Sequence, residues 1–256
     1  MNNSRKYDKY QSPTVKQSVC VVYEQTPLDI RVREKGLFPK RTLKHAPTRG
    51  IIKEFSIKSQ QNCRFKLRSA AENMKITVCL TYPLELRYSL DGEIIKRHLD
   101  NFLKAYHRAY GVDTRHVWAL EFQLNGNPHF HLMFDTEVDD ISAFREWVAN
   151  TWYRVVGSGI YKHKLAGTEA DYIRSNSELA TYFVKYLQKS HQKDVPENFK
   201  NVGRFWGGSR NAWNVEKVAF LCGDSFNTES LRSARRETRE LRKLRNFKLA
   251  QASAVT

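Results

Sequence analysis

A chain of 256 residues with 41% hydrophobic side chains is long enough for one substantial α/β domain with extensions, or for two small domains. No stretch approaches the ~18 to 20 apolar residues of a membrane span, and the polar, basic start MNNSRKYDKYQSPTVK has no apolar core of a secretory signal. Lys and Arg number 43 against 27 Asp and Glu, a net charge of +16, which points to a polyanionic partner, nucleic acid first.

That excess is unevenly placed. Residues 1–75 hold 17 basic and 6 acidic side chains, and residues 228–256 hold 8 and 3, while 76–227 carries 18 of each. Basic flanks around a neutral centre suggest three parts: a basic N-terminal extension (1–74), a central domain (75–215) and a basic C-terminal helical extension (216–256). Cys20, Cys63, Cys79 and Cys222 are scattered without a CxxC pair, so they read as reduced, mostly buried thiols rather than a disulfide frame or a zinc site.

In chain order, residues 1–70 mix prolines, charges and short apolar runs such as VCVVY (19–23) without a sustained period, and read as an extension that wraps the core or touches DNA. KITVCLTYP (75–83) is a β-branched strand stopped by Pro83. SLDGEIIKRHLDNFLKAYHRAYG places Ile95, Leu99, Phe102, Leu103 and Tyr106 at helical spacing, with Asp91 as cap and Gly111 past the end. HVWALEFQ (116–123), the turn LNGNP (124–128) and HFHLMF (129–134) form a β-hairpin. Ile141, Phe144, Val148 and Trp152 give a second amphipathic helix ending before Gly157. Residues 159–173 hold another strand, a third helix runs from Ser177 to about Ser190, and the C-terminal stretch is a long Arg-rich helix. The order fits an α+β, split βαβ or ferredoxin-like antiparallel sheet with helices on one face.

His129 and His131 lie two positions apart on a strand and so share one face. With an odd, five-residue turn, Gln123 lies opposite His129 and Glu121 opposite His131, and all four share that face; an even turn sends Glu121 to the other side. Two imidazoles and a carboxylate suit Mg²⁺ or Mn²⁺ acting as a Lewis acid on a phosphoryl oxygen. Structural, hydrogen-bonded histidines are the alternative. The third helix carries Y-F-V-K-Y-L-Q-K (182–189), two overlapping copies of Y-x-x-K: Tyr182 with Lys185 and Tyr186 with Lys189. Tyrosines at i and i+4 stack on one helix face. Each phenol can attack a phosphodiester, helped by a nearby cation; an ordinary amphipathic helix with two core tyrosines is the alternative.

His-hydrophobe-His on a strand, followed about fifty residues later by a doubled Y-x-x-K, resembles the HUH endonucleases with two tyrosines, and within them the rolling-circle replication initiators of phages and plasmids. CLTYP (79–83) resembles their first motif strand, and GRFWGGSR (203–210) a segment that often follows. The resemblance spans about residues 75–210. It implies an HUH endonuclease fold of the ferredoxin/RRM-like type, with His129, His131 and Glu121 holding Mg²⁺ or Mn²⁺. It also implies Tyr182 and Tyr186 as nucleophiles and Lys185 and Lys189 as the motif lysines. The activity implied is nicking single-stranded origin DNA through a 5′-phosphotyrosine link and rejoining it into a circle. It would proceed in a bacterial cytoplasm with a host helicase and host DNA polymerase, since no P-loop signature is present. The turn LNGNP departs from the more usual Arg-Gly type. A relaxase, a two-tyrosine transposase and a non-catalytic nucleic-acid-binding module are the competing readings.

Arg204, Trp206 and Arg210, with Phe205 and Trp213, interleave cations with aromatics and suit stacked bases of single-stranded DNA, although buried packing explains the tryptophans equally well. His98, His107, His116, His163 and His191 lack a comparable partner and read as ordinary residues.

Overall fold

The computed structural model describes residues 19–26, 29–36, 52, 55–173, 195–222, 232–233, 235–241 and 243–244. The chain divides into two compact units: residues 1–25, 30–46 and 217–256 form one, and residues 26–29 and 47–216 the other. The expected third helix, with Tyr182, Lys185, Tyr186 and Lys189, lies outside the described residues, as does His191.

In the first unit, VCVVYEQ forms strand β1 (Val19–Gln25), paired antiparallel with β2 (Ile30–Gly36) from Val19 opposite Gly36 to Gln25 opposite Ile30. The run VCVVY, which shows no sustained period in the sequence, is therefore a strand. Glu24 Oε2 accepts from Arg31 Nε at 2.5 Å across this pair.

The larger unit opens with helix α1 (Ile57–Ala70), capped by Ser56, whose side chain accepts from the Ser59 N–H. The sequence reading places no helix here. The buried side chains of α1 are Cys63, Phe65, Leu67, Ser69 and Ala70, among eight exposed or half-exposed polar and basic ones, so its apolar stripe is narrow and its period weak. Strand β3 (Ile76–Thr81) alternates strictly, with Ile76, Val78 and Leu80 buried and Thr77, Cys79 and Thr81 half-buried. Helix α2 (Gly92–Tyr110) starts at Asp91, whose carboxylate accepts from the Ile94 N–H, and ends at Gly111, both as the sequence predicts. Strands β4 (His116–Phe122) and β5 (Pro128–Phe134) make the hairpin.

Helix α3 (Ile141–Val156) is capped by Asp140, which accepts from the Ser142 and Ala143 N–H groups, and stops at Gly157 with φ 64°, the left-handed position that favours glycine. Residues 159–173 hold the expected strand, β6 (Thr168–Tyr172), preceded by a short helix, α4 (Tyr161–Ala166). The segment GRFWGGSR supplies the edge strand β7 (Trp206–Gly208), paired with Val117–Ala119 of β4. Strand β8 (Glu216–Cys222) joins the first unit's sheet, whose order is β2-β1-β8.

The larger sheet has the order β6-β3-β5-β4-β7, antiparallel at every pairing. Its first four strands belong to a β-α-β-β-α-β chain order with the sheet order 4-1-3-2. Helices α2 and α3 cover the face that carries Ile76, Phe130, Leu132 and Phe134. Tyr106 of α2 packs on Phe134 at 3.9 Å between ring centres, and Trp152 of α3 meets Phe102 edge-on at 6.0 Å. The aromatic cluster continues through Trp147 and Tyr110, 5.1 Å apart. Burying each of these rings is worth about 2–3 kcal/mol in transfer terms, which anchors both helices to that face. Cys79, Thr81, Glu121, His129 and His131 belong to the opposite face.

Candidate metal centre

The turn closes between Gln123 and Asn127, where the Gln123 N–H donates to Asn127 O at 2.9 Å and the Gly126 N–H to Gln123 O at 2.7 Å. Gly126 takes φ 80°, which a side chain would resist. The loop is five residues long, as the odd register requires, but spans 123–127 instead of 124–128. Pro128 joins β5 as its first residue, a place where a missing N–H costs little. The pairing therefore differs by two residues from the one expected: Glu121 lies opposite His129, and Ala119 opposite His131. A shift of two keeps the face, so Glu121, His129 and His131 still project to one side.

Glu121 reaches diagonally to His131, with Oε2 2.8 Å from Nε2. Both are nearly fully buried, at 7% and 4% exposure. The two imidazoles meet at 4.5 Å between ring centres. Their other partners come from β3, which pairs with β5 so that Cys79 faces His131 and Thr81 faces His129. Thr81 Oγ1 lies 2.7 Å from His129 Nδ1, and Cys79 Sγ lies 3.3 Å from His131 Nδ1. One donor atom each from Cys79, His129 and His131 falls within 4.8 Å of the others.

Thr81 is itself held firmly. Its carbonyl accepts from Trp152 Nε1 at 2.9 Å and from His163 Nε2 at 3.0 Å, and its N–H donates to Gly167 O at 2.8 Å. Burial lowers the pKa of His163 below the usual imidazole value, against weaker opposing effects of the Thr81 carbonyl and Glu85. A neutral ring with Nε2–H towards Thr81 leaves Nδ1 to accept from the Ser158 hydroxyl at 2.9 Å. Gly167 leaves room for this ring, since a Cβ there would sit 2.3 Å from His163 Cδ2. His163, read as an ordinary residue in the sequence, thus props the centre through Thr81.

The donors fit a hard divalent ion. The 2.8 Å between Glu121 Oε2 and His131 Nε2 is close to the roughly 3 Å edge of an octahedron with bonds of about 2.1 Å. Thr81 then orients His129 from its far nitrogen, the usual arrangement behind a metal-bound imidazole. Cys79, Thr81, Trp152 and His163 were not singled out from the sequence as parts of a site. The alternation of CLTYP puts Cys79 and Thr81 on one face, but nothing local says that β3 pairs with β5.

The cation and aromatic residues expected at DNA lie along β7 and its approach. Arg204 and Arg210 are exposed, while the Arg204 carbonyl accepts from Lys96 Nζ. Trp206 is half-buried, donates from Nε1 to Ser59 Oγ at 3.1 Å, and meets Trp213 edge-on at 6.1 Å. Phe205 is buried and stacks on Phe55 at 5.4 Å. Gly207 and Gly208 allow this strand its close approach: a Cβ at Gly207 would lie 2.9 Å from the Trp118 ring, and one at Gly208 2.6 Å from His116 O.

Residues 75–191 match a family model of replication-associated proteins, the ORF2 type. The matched span is somewhat less than half of the chain, runs from β3 past β6, and includes the histidine pair and both Y-x-x-K copies. No curated protein and no solved structure matches the chain. The match supports a rolling-circle, Rep-like protein with a role in DNA replication, and the α+β architecture with antiparallel sheets is compatible with it. Among the described residues no helix is long and apolar enough to cross a membrane.

Proposed function

We propose that the chain initiates rolling-circle replication by nicking single-stranded DNA at an origin, as a two-tyrosine HUH endonuclease. The observation that carries this reading is the convergence of Glu121, His129 and His131 on one sheet face, inside a span that matches a replication-associated family. The 4-1-3-2 strand order supports a ferredoxin-like HUH domain, and the net charge of +16 supports a DNA partner.

In this reading the phenol oxygen of Tyr182 or Tyr186 attacks the scissile phosphorus. A tyrosyl O–P bond forms as the bond to the 3′ oxygen breaks; the phenol proton is lost and the departing oxygen leaves as a 3′-OH. Lys185 and Lys189 place positive charge beside the phenols and favour the developing negative charge. Glu121, His129 and His131 would hold Mg²⁺ or Mn²⁺, which supplies Lewis-acid withdrawal of charge from the phosphate. The link conserves the ester's energy, so a 3′-OH can reverse it and close a circle. Arg204, Trp206 and Arg210 supply phosphate and base contacts along the β7 edge. A host helicase and host polymerase complete replication in the bacterial cytoplasm.

The test is incubation of the chain with single-stranded DNA tiled across the replicon that encodes it, with Mn²⁺ or Mg²⁺, scored on a denaturing gel for a protein–DNA adduct. The adduct is expected to survive Tyr182→Phe or Tyr186→Phe alone and to vanish in the double variant. Binding to an origin fragment without any adduct from the wild type would leave a DNA-binding module instead.

A further inference from the structure

Around His131 the structure holds two different donor sets, and only one of them contains Glu121. The first uses His131 Nε2 with Glu121 and His129, as above. The second uses His131 Nδ1, which faces Cys79 Sγ at 3.3 Å. We propose that Cys79, His129 and His131 form a thiolate–imidazole site for a thiophilic divalent ion, zinc in chemical class, with Glu121 hydrogen-bonded behind His131 rather than ligating. This second site shares His129 and His131 with the centre of the proposed nuclease, so its filling and that of the harder set exclude one another.

Three features carry the proposal. The Sγ–Nδ1 separation is already near the roughly 3.5 Å edge that Zn–S of about 2.3 Å and Zn–N of about 2.0 Å span in a tetrahedron. The donor atoms of all three residues lie within 4.8 Å of one another, so modest rotations of the side chains close the set. Finally, His131 Nε2 meets the buried Glu121 carboxylate at 2.8 Å, the carboxylate–histidine–metal arrangement that raises the basicity of the opposite nitrogen. With Nε2–H donating to Glu121, Nδ1 holds the lone pair and accepts from the Cys79 S–H. When an ion takes both atoms, the thiol proton passes to solvent and sulfur binds as thiolate. Sulfur then selects zinc over Mg²⁺ or Mn²⁺, because soft ligands favour softer ions. Cys79 is half-buried and its neighbours in β3 hold it in register with His131, so the set is preformed.

The experiment titrates the full chain with Co²⁺ as a spectroscopic stand-in, with Zn²⁺ by calorimetry, and with Mn²⁺ by its paramagnetic resonance. Wild type, Cys79→Ser and Cys79→Ala are compared, with circular dichroism to verify folding. The expected result is a near-ultraviolet sulfur-to-cobalt charge-transfer band in wild type that both variants lose. Zn²⁺ affinity should drop by more than about tenfold in the variants, while Mn²⁺ affinity stays within about twofold. A Co²⁺ complex without that band, or Zn²⁺ affinity unchanged in both folded variants, overturns the proposal. The two readings fail separately. Mn²⁺ binding with no thiolate band leaves the nuclease centre and removes the zinc site. A thiolate band without Mn²⁺ binding keeps the zinc site and deprives the nuclease reading of its ion.

Discussion

Replacing Thr81 by valine keeps the volume of the side chain and removes the one hydroxyl that meets His129 Nδ1 at 2.7 Å. The backbone of Thr81 is fixed by Trp152, His163 and Gly167, so the strand has little reason to move. Thr81→Val is therefore expected to leave folding intact and to lower Mn²⁺ affinity about 10- to 100-fold, the usual effect of losing the partner that orients a metal-bound histidine. Calorimetric titration of wild type and variant with Mn²⁺ measures it, and an unchanged affinity would show that His129 needs no such support. Glu121 illustrates a separate lesson at this scale. A carboxylate predicted opposite His131 sits one pair away and still reaches it, because diagonal neighbours on an antiparallel face lie within range of a long side chain.

At the scale of elements, the short helix α4 and strand β6 act as a brace for β3. The brace depends on Gly167, where the chain turns from one to the other and approaches His163 too closely for any side chain. Gly167→Ala is expected to displace the His163 ring from the Thr81 carbonyl and destabilise the fold by about 2 kcal/mol, through overpacking and a lost buried hydrogen bond. Urea unfolding reads the stability, and the imidazole resonances of His163 report the displacement; a variant as stable as wild type would mean that the ring moves without cost. The GRFWGGSR segment shows the same use of glycine. Gly207 and Gly208 let β7 lie against Trp118 and β4, so this motif has a packing role whatever its exposed arginines contact.

For the whole molecule, buried histidines set the response to acid. Burial, with His107 nearby, lowers His116 to about 4, against about 6.5 in an unfolded chain. Between these values the unfolded state binds a proton that the folded state does not. Stability from His116 is therefore complete above about pH 6.5 and is lost as pH falls towards 4. His163 and His98, also lowered by burial, act in the same direction. The loss assignable to His116 at pH 4.5 is about 2 kcal/mol. Urea midpoints at pH 7 and pH 4.5 for wild type and His116→Gln measure it. The variant should lose less stability on acidification, and equal losses would place the acid sensitivity elsewhere. Charge also has a molecular arrangement. The basic excess lies at both ends of the sequence, and strands from both ends, β1 and β2 on one side and β8 on the other, share one sheet.

The sequence by itself determined the charge distribution, the period-2 face shared by His129 and His131, and the caps at Asp91 and Gly111. It also determined the doubled Y-x-x-K and the order of strands and helices from β3 to β6. All of these follow from local chain geometry, where a few neighbouring residues suffice. It did not yield β1, β2 or α1, whose apolar patterns are short or narrow, and it misplaced the hairpin register by two residues because Pro128 reads as a turn residue. Only the tertiary structure decided that β3 lies beside β5, bringing Thr81 against His129 across 48 residues and His163 against Thr81 across 82. Which strands become neighbours depends on how all the apolar faces are buried together, and that is a property of the assembled core.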